Sequence, residues 1–490
     1  MLYRQRKDTY IRIYDNIGYI INNILFNDRV TDNIGALFLR ALSRTAKEID
    51  TITEEIIESF IDVNKITLKE DIIEFYSDLE EDGFIISGNT IEELDNKDTG
   101  FSYHLSDPKT IYKDYTPIVK RTEKETQEYL EEYFKDKPHL RSFQIEITSR
   151  CNEYCLHCYI PHEKRFNDIE TELFINVIKQ CQKMGVINIT ISGGEPLLHK
   201  NFCEFIQIVK DHDIYVHILS NMTLLNDEII AALKVDRISS VQVSLYSLDP
   251  NIHDSITKLS GSFLKTKNSI LKLIENDIPV RISCPMMVEN KNCYADVLEW
   301  AFEHKISAVT DYIMMARFDG TKDNLDHRLN LNEVENVIND IINHDRIYKD
   351  RLDFSYIESL YQKDQSNDIV CGVCTSSMCM VSNGNVYPCP GWQSYILGNV
   401  KESSLHEIWE KSPKIQYLRS LRKRDFSKCL TCEDRGFCSM CMVRNANEDP
   451  DGNLFNINEH FCKVAAINRK IVMDWKQKQN RPMEVKTCWK

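Results

Sequence analysis

Three cysteines, Cys151, Cys155 and Cys158, fall in the run Glu146 to Tyr159 (EITSRCNEYCLHCY), directly behind a stretch whose alternate residues Phe143, Ile145 and Ile147 are apolar. Such alternation predicts a strand with one apolar and one polar face. The thiols therefore fall on the loop that leaves the strand's end. The spacing is CxxxCxxC. Three thiolates so placed can hold three irons of a cubic [4Fe-4S] cluster and leave the fourth open to a small molecule. A structural zinc site or an ordinary ferredoxin cluster would need a fourth protein ligand close by.

A second stretch, Val186 to Pro196 (VINITISGGEP), predicts an apolar strand ending in Ser192-Gly193-Gly194-Glu195-Pro196. The two glycines permit close backbone approach, Glu195 offers a carboxylate for an ammonium group, and Pro196 fixes the turn. Together the cysteine loop and GGEP resemble the radical S-adenosylmethionine (SAM) superfamily. That resemblance implies a SAM-binding cluster on Cys151, Cys155 and Cys158, with Ser192, Gly193, Gly194 and Glu195 at the methionine amino group. It extends to Ser220-Asn221, to Ser244 as a contact to the SAM methionine or ribose, and to His253-Asp254. His157 stands where the family often has an aromatic beside the adenine, with loop packing as its other role. The arginine that often follows the HD pair is replaced by Thr257-Lys258.

With 490 residues and 42% hydrophobic content, two to four domains are expected. No long uncharged apolar run occurs and the start MLYRQRKDTY lacks a signal segment, so a cytoplasmic protein without membrane association is expected. In that reducing compartment the 17 cysteines read as metal ligands more readily than as disulfides. A net charge of -15 argues against nucleic acid and gives no support to anionic membranes.

Residues 1–87 read as a small α/β unit. Tyr10 to Tyr14 and Tyr19 to Leu25 form a hairpin about Asp15-Asn16-Ile17-Gly18. Three helices follow: Thr31 to Leu42, one opened by a Thr45-x-x-Glu48 capping box, and one opened by Thr67-x-x-Glu70. In the third, Leu68, Ile72, Ile73, Tyr76 and Leu79 mark a buried face; Asp82-Gly83 then turns into the strand Phe84-Ile85-Ile86. A winged-helix-like module is predicted, and its 10 Lys/Arg against 17 Asp/Glu have the wrong sign for phosphate. It resembles the recognition elements of peptide-modifying enzymes, which take a leader peptide as an added strand. Residues 88–137 read as a linker with one helix, Glu123 to Tyr133. Residues 138–320 hold six βα units, with strands at Ile214 to Leu219, Val241 to Leu245, Val280 to Ser283 and Val309 to Met314 after the two already named. Helices are expected at Glu170 to Met184 and Lys265 to Glu275. The fold class is α/β: by resemblance a partial (β/α)6 barrel with its site at the strands' C-terminal ends. Residues 321–370 read as bridging helices, 371–470 as a cysteine-rich domain and 471–490 as a tail.

Cys371, Cys374, Cys379 and Cys389 precede a tight set, Cys429, Cys432, Cys438 and Cys441, with Cys462 beyond. With NGNVYPC around Gly384, this field resembles the SPASM extension, which carries two auxiliary [4Fe-4S] clusters; the last gap of the tight set is one residue shorter than usual. The resemblance implies one cluster on Cys371, Cys374, Cys389 and Cys441 and another on Cys429, Cys432, Cys438 and Cys462. That makes three clusters in all. Cys379 reads as a buried small hydrophobe with replacement of Cys371 as its other role, and a zinc ribbon is the competing inorganic reading. Cys181, Cys203, Cys284 and Met286 read as core; Cys293 and Cys488 carry no ligand role.

The resemblance implies that an electron from a reductant such as flavodoxin or ferredoxin, passed through the cluster, cleaves SAM to a radical that takes hydrogen from an unactivated carbon. Auxiliary clusters accept the electron left over. The expected function is maturation of a ribosomal precursor peptide, with a cysteine thioether as product; carbon-carbon crosslinking and epimerisation remain open. Sulfatase maturation fits less well, because Pro390 stands where that family has Asp after the cysteine matched by Cys389. A non-catalytic iron-sulfur or zinc scaffold is the reading from another class. No general acid or base stands out; Tyr246, Met314 and Met315 read as wall.

Overall fold

The computed structural model describes residues 1–479 apart from 24, 26, 104–122, 165–166, 235–237, 345–356, 358–360, 362–363 and 439. The N-terminal unit has two small sheets. One joins β1 (Leu2–Gln5), β5 (Lys47–Glu48) and β6 (Ile85–Gly88); the other joins β2 (Thr9–Tyr14), β3 (Ile17–Asn22) and β4 (Asn27–Thr31) in that order. The hairpin turn is tighter than expected: Tyr14 pairs with Ile17, and Asp15 takes φ 49. Ile17 and Gly18 thus belong to the strand.

Both expected capping boxes are corrected. The second helix runs Ile49–Ile57 with no side-chain cap, because Lys47 and Glu48 pair with β1 instead. The third runs Lys65–Glu81 from an Asn64 cap whose side chain accepts from Ile66 and Thr67 N–H, which leaves Thr67 inside the helix. The first helix is Asn33–Ala41, capped by Asp32. Leu68, Ile72, Tyr76 and Leu79 are buried as expected, but Ile73 is 38% exposed. At a helical period it lies just off the stripe.

The unit also ends later than residue 87. A helix over Ile91–Lys97 buries Leu94 against it, and buried Asp98 accepts from Lys7 N–H at 3.2 Å and pairs with Arg4 at 3.5 Å. Of the rest of the linker, the expected helix Glu123–Tyr133 is present.

Six parallel strands then follow in sequence order: β7 (Ser142–Thr148), β8 (Asn188–Gly193), β9 (Tyr215–Ser220), β10 (Ile238–Ser244), β11 (Val280–Pro285) and β12 (Ser307–Asp311). Helices between them, such as Thr171–Lys183 and Ser262–Glu275, cover one face of the sheet. Phe143, Ile145, Ile147, Ile189, Ile191, Val241, Val243 and Ile282 are fully buried beneath those helices. By strand alternation, Gln144, Glu146, Ser192, Gln242, Ser244, Arg281 and Ser283 occupy the other, concave face.

The cysteine-rich domain is not a separate layer. Its first strand, β13 (Ser377–Val381), pairs in parallel with β7, and β14 (Asn385–Tyr387) and β15 (Gly398–Asn399) extend the same sheet to nine strands. The helix Glu459–Gln479 buries Ile471 and Val472, so the expected tail from 471 is packed helix as far as 479. Among the described residues, no helix is long and apolar enough to cross a membrane. Residues 480–490, with Cys488, lie outside the described residues.

Candidate functional site: the strand ends and the cysteine field

The two sequence motifs are stitched together by backbone. Gly194 N–H donates to Thr148 O at 2.9 Å and Glu195 N–H to Arg150 O at 2.8 Å. A Cβ on Gly193 (φ 150) would stand 2.1 Å from Thr148 O, and one on Gly194 2.3 Å from Arg150 O. Only glycine allows this approach. The loop is braced from the far side by the end of the helix Pro250–Thr257: Tyr154 N–H donates to Thr257 O and Leu156 N–H to Ile256 O, at 2.9 and 3.0 Å. Thus Thr257, which stands beside the missing arginine, supports the loop through its backbone.

Glu195 is fully buried, and its carboxylate accepts from Ser220 Oγ (2.7 Å), Asn221 N–H (2.7 Å) and Leu197 N–H (3.0 Å). Burial pushes it up to about 7 against those bonds. Its carboxylate ties the end of β8 to that of β9. Asn221 in turn donates to Asn152 in the cysteine loop at 3.0 Å. Ser192 accepts from Gln144 Nε2 at 2.7 Å on the concave face. His253 and Asp254 are structural: His253 Nδ1 accepts from Tyr246 N–H, and Asp254 accepts from Gly261 and Phe263 N–H at the start of the next helix.

His157 Nε2 lies 2.9 Å from Tyr246 Oη, and burial holds its ring down to about 4. Tyr246, expected as wall, also donates toward Cys155 Sγ at 3.8 Å. Two buried acids escaped the sequence reading. Glu153, inside the loop, accepts from the Cys155 thiol at 3.3 Å. Glu146 accepts from Tyr159 Oη (3.2 Å) and from Gln393 Nε2 (2.9 Å), which links the first cysteine loop to the segment behind Cys389. Strand alternation on β7, with Glu146 opposite to Ile145 and Ile147, was the available signal.

Within the cysteine field two groups of thiols lie near one another. Burial and then the charges of Cys462, Cys438 and Cys432 push the Cys429 thiol up to about 11. Burial, with Cys441 and Cys371 nearby, does the same for Cys389. Cys374, at φ 59, is buried with Cys371 as its charged neighbour. Cys379 is fully buried and donates to Tyr387 O. Cys371, by contrast, is exposed. Cys181, Cys284 and Met286 are core; Cys203 and Cys293 are half-buried. Among the described residues no three Cys, His, Asp or Glu side chains gather closely enough to hold a single metal ion. A cavity of about 1610 Å³, lined by Tyr14, His139, Gly185, Trp409 and Arg419, opens at the other end of the strands, away from the cysteine loop.

A parallel α/β sheet with a three-thiol loop clamped over its strand ends, extended by a cysteine-rich hairpin, defines a SAM-radical enzyme with an iron-sulfur module. Residues 145–315 match the radical SAM superfamily and residues 371–433 an iron-sulfur cluster-binding domain, SPASM. The chain belongs to the radical SAM superfamily and is an enzyme of that class. It is 25% identical over 61% of its length to an AdoMet-dependent heme synthase of Methanosarcina barkeri, 90% of which it covers. It is 27% identical over 62% of its length to the antilisterial bacteriocin subtilosin biosynthesis protein AlbA of Bacillus subtilis, covering 68% of it. In fold it resembles Streptococcus suis SuiB, solved bound to the precursor peptide SuiA, with TM-score 0.59 and 18% identity over 94% of this chain and 99% of that one.

Proposed function

We propose that the chain is a peptide maturase that installs an intramolecular crosslink, a cysteine thioether, in a ribosomally made precursor peptide. The observation that carries this reading is an N-terminal unit fixed onto the barrel, with one sheet edge turned toward a helix. Arg12 donates to Val186 O and Asp213 O, and Arg12 and Arg44 both pair with Asp213. The edge strand β4 is half-buried against the helix Glu123–Tyr133, and its Arg29 pairs with Asp82, at the end of the helix Lys65–Glu81, at 3.2 Å. A leader peptide adds there as a further strand. AlbA, a bacteriocin biosynthesis protein, and SuiB, solved bound to its precursor peptide, support this reading.

Cys151, Cys155 and Cys158 hold the SAM-binding cluster. Cys371, Cys374, Cys389 and Cys441 hold one auxiliary cluster, and Cys429, Cys432, Cys438 and Cys462 the other. The all-cysteine donor sets and the match of residues 371–433 to an iron-sulfur cluster-binding domain support iron-sulfur over zinc. SAM bound to the reduced cluster supplies hydrogen-atom abstraction at an unactivated carbon. This chain's residues do the positioning: Gly193 and Gly194 let the end of β8 close onto the backbone of the cysteine loop, Glu195 fixes Asn221, and Ser192 and Ser244 line the concave face. His157 packs the loop through Tyr246. The protein excludes solvent and orients the reacting carbon.

The test is anaerobic incubation with dithionite, SAM and a cysteine-containing precursor, read by exact mass. Loss of two hydrogens with a thiol that no longer alkylates supports the thioether. Loss with free thiols points to a carbon-carbon link, and deuterium uptake without oxidation points to epimerisation. Deleting residues 1–98 is expected to abolish modification of the full precursor while SAM cleavage persists; undiminished modification removes the leader claim.

A further inference from the structure

The concave face holds a cation that the proposed chemistry does not use. Arg281 is the second residue of β11, between Val280 and Ile282, which are 6% and 0% exposed in the core. Alternation therefore sends its side chain to the concave face. Its register neighbours are Gln242 on β10 and Ser307 on β12, and one inward step nearer the site Ser244 pairs with Ser283. Arg281 thus stands one layer beneath Ser244.

Its register neighbours are polar and uncharged. The Nε atom is enclosed without a hydrogen-bond partner, and neither Gln242 nor Ser307 beside it is an acid. His217, on β9, is near enough for the Arg281 charge to help burial hold its ring down to about 4, and its Nδ1 lies 2.7 Å from Ser240 Oγ. The neighbouring imidazole is therefore neutral. Of the acids that alternation puts on this face, Glu146 on β7 is taken up by Tyr159 and Gln393, and Asp311 at the end of β12 stands level with Pro285, two same-face steps beyond Arg281. A half-buried guanidinium with an enclosed, unpartnered Nε and, among the described residues, no carboxylate on it has donors to spare. It is best satisfied by an anion that arrives with a ligand. Its planar fork matches a carboxylate.

We propose that Arg281 is a specificity-determining residue that receives a carboxylate of the substrate peptide, an Asp or Glu side chain, inside the barrel. The assignment rests on the peptide-maturase reading for the identity of the carboxylate's carrier, though not for the anion site itself.

The test uses the full chain with its clusters loaded and SAM saturating. N-acetyl-glutamate N-methylamide and its glutamine counterpart are titrated calorimetrically into wild type, Arg281→Gln and Arg281→Lys. The glutamate probe is expected to bind wild type about tenfold more tightly than the glutamine probe, as a charge-assisted pair of hydrogen bonds allows. Arg281→Gln is expected to lose that discrimination, and Arg281→Lys to keep part of it. Absence of discrimination in wild type, including absence of binding by either probe, overturns the proposal, as does discrimination that survives in Arg281→Gln. SAM affinity is measured in parallel. If it falls about tenfold in Arg281→Gln while the probes are not discriminated, the carboxylate is that of SAM and the peptide assignment is overturned. Melting curves of both variants report folding. Because no peptide turnover is required, failure of the maturase reading leaves this outcome separately legible.

Discussion

The first cysteine loop and the C-terminal cysteine field solve one problem by different means. The first places three thiols within eight residues of one another, on a loop held at both ends by backbone: Thr148 and Arg150 on one side, Ile256 and Thr257 on the other. The second gathers its sets from residues 371 to 462, across a hairpin that joins β7, several short turns and a long helix. The local site is preorganised by its own strand, whereas the distributed one depends on tertiary packing and on whatever its cysteines bind. Metal binding is coupled to folding where a preformed site is incomplete.

The largest expected effect breaks the comparison at its first term. Cys155→Ala should reduce release of 5'-deoxyadenosine to the level of iron-free protein while the auxiliary iron is retained. Loss of all iron would make the two regions one cooperative unit. Cys441→Ala is the reciprocal change: iron should fall by about four atoms per chain, measured by a colorimetric assay, with SAM cleavage persisting and peptide modification lost.

Glu195→Gln sharpens the account of the first site. The carboxyl is raised from 4.5 to about 7 by burial. A raised acid costs the folded state nothing below the unfolded value and loses stability as pH climbs from about 4.5 through 7. The variant should remove on the order of 3 kcal/mol of that decline, seen as a flatter melting temperature between pH 5 and 8 in iron-free protein. A wild-type profile equally flat would show that the three donors outweigh burial. Gly194→Ala adds a Cβ 2.3 Å from Arg150 O. It should cost about 1–3 kcal/mol in chemical denaturation, with SAM affinity falling alongside.

The smallest change probes the distributed site. Arg419 donates to Cys374 O at 2.7 Å and lies 4.2 Å over the Trp409 ring. Arg419→Gln should cost about 1 kcal/mol and speed iron loss from the first auxiliary set, with the first loop unaffected. Equal iron loss from both regions would erase the distinction drawn above.

Much of this molecule was legible in the chain. The parallel strands announced themselves through fully apolar faces such as Ile189, Ile191, Val241 and Val243, and the helix Glu123–Tyr133 through its period. Both glycines of GGEP were legible because an uncommon conformation needs an uncommon residue. The Thr45 and Thr67 boxes misled because capping signals are short, and strand pairing by Lys47 with Tyr3 and a better cap at Asn64 overrode them. Ile91–Lys97 was missed because its length gives too few turns for a period to show.

The sequence by itself marked the residues proposed to bear the chemistry at the first site: the spacing of Cys151, Cys155 and Cys158 and the glycines and acid at the end of β8. Local spacing suffices there because ligands a few residues apart on one strand end share its geometry. Tertiary structure alone decided that β13 would extend the barrel sheet, that Glu195 would tie β8 to β9, that Glu146 would meet Gln393, and that Arg281 would face the concave side with no carboxylate paired to it among the described residues. Those contacts join residues tens to hundreds of positions apart. A hydrogen bond or a missing counterion at that separation depends on how whole elements pack, which no stretch of chain encodes locally.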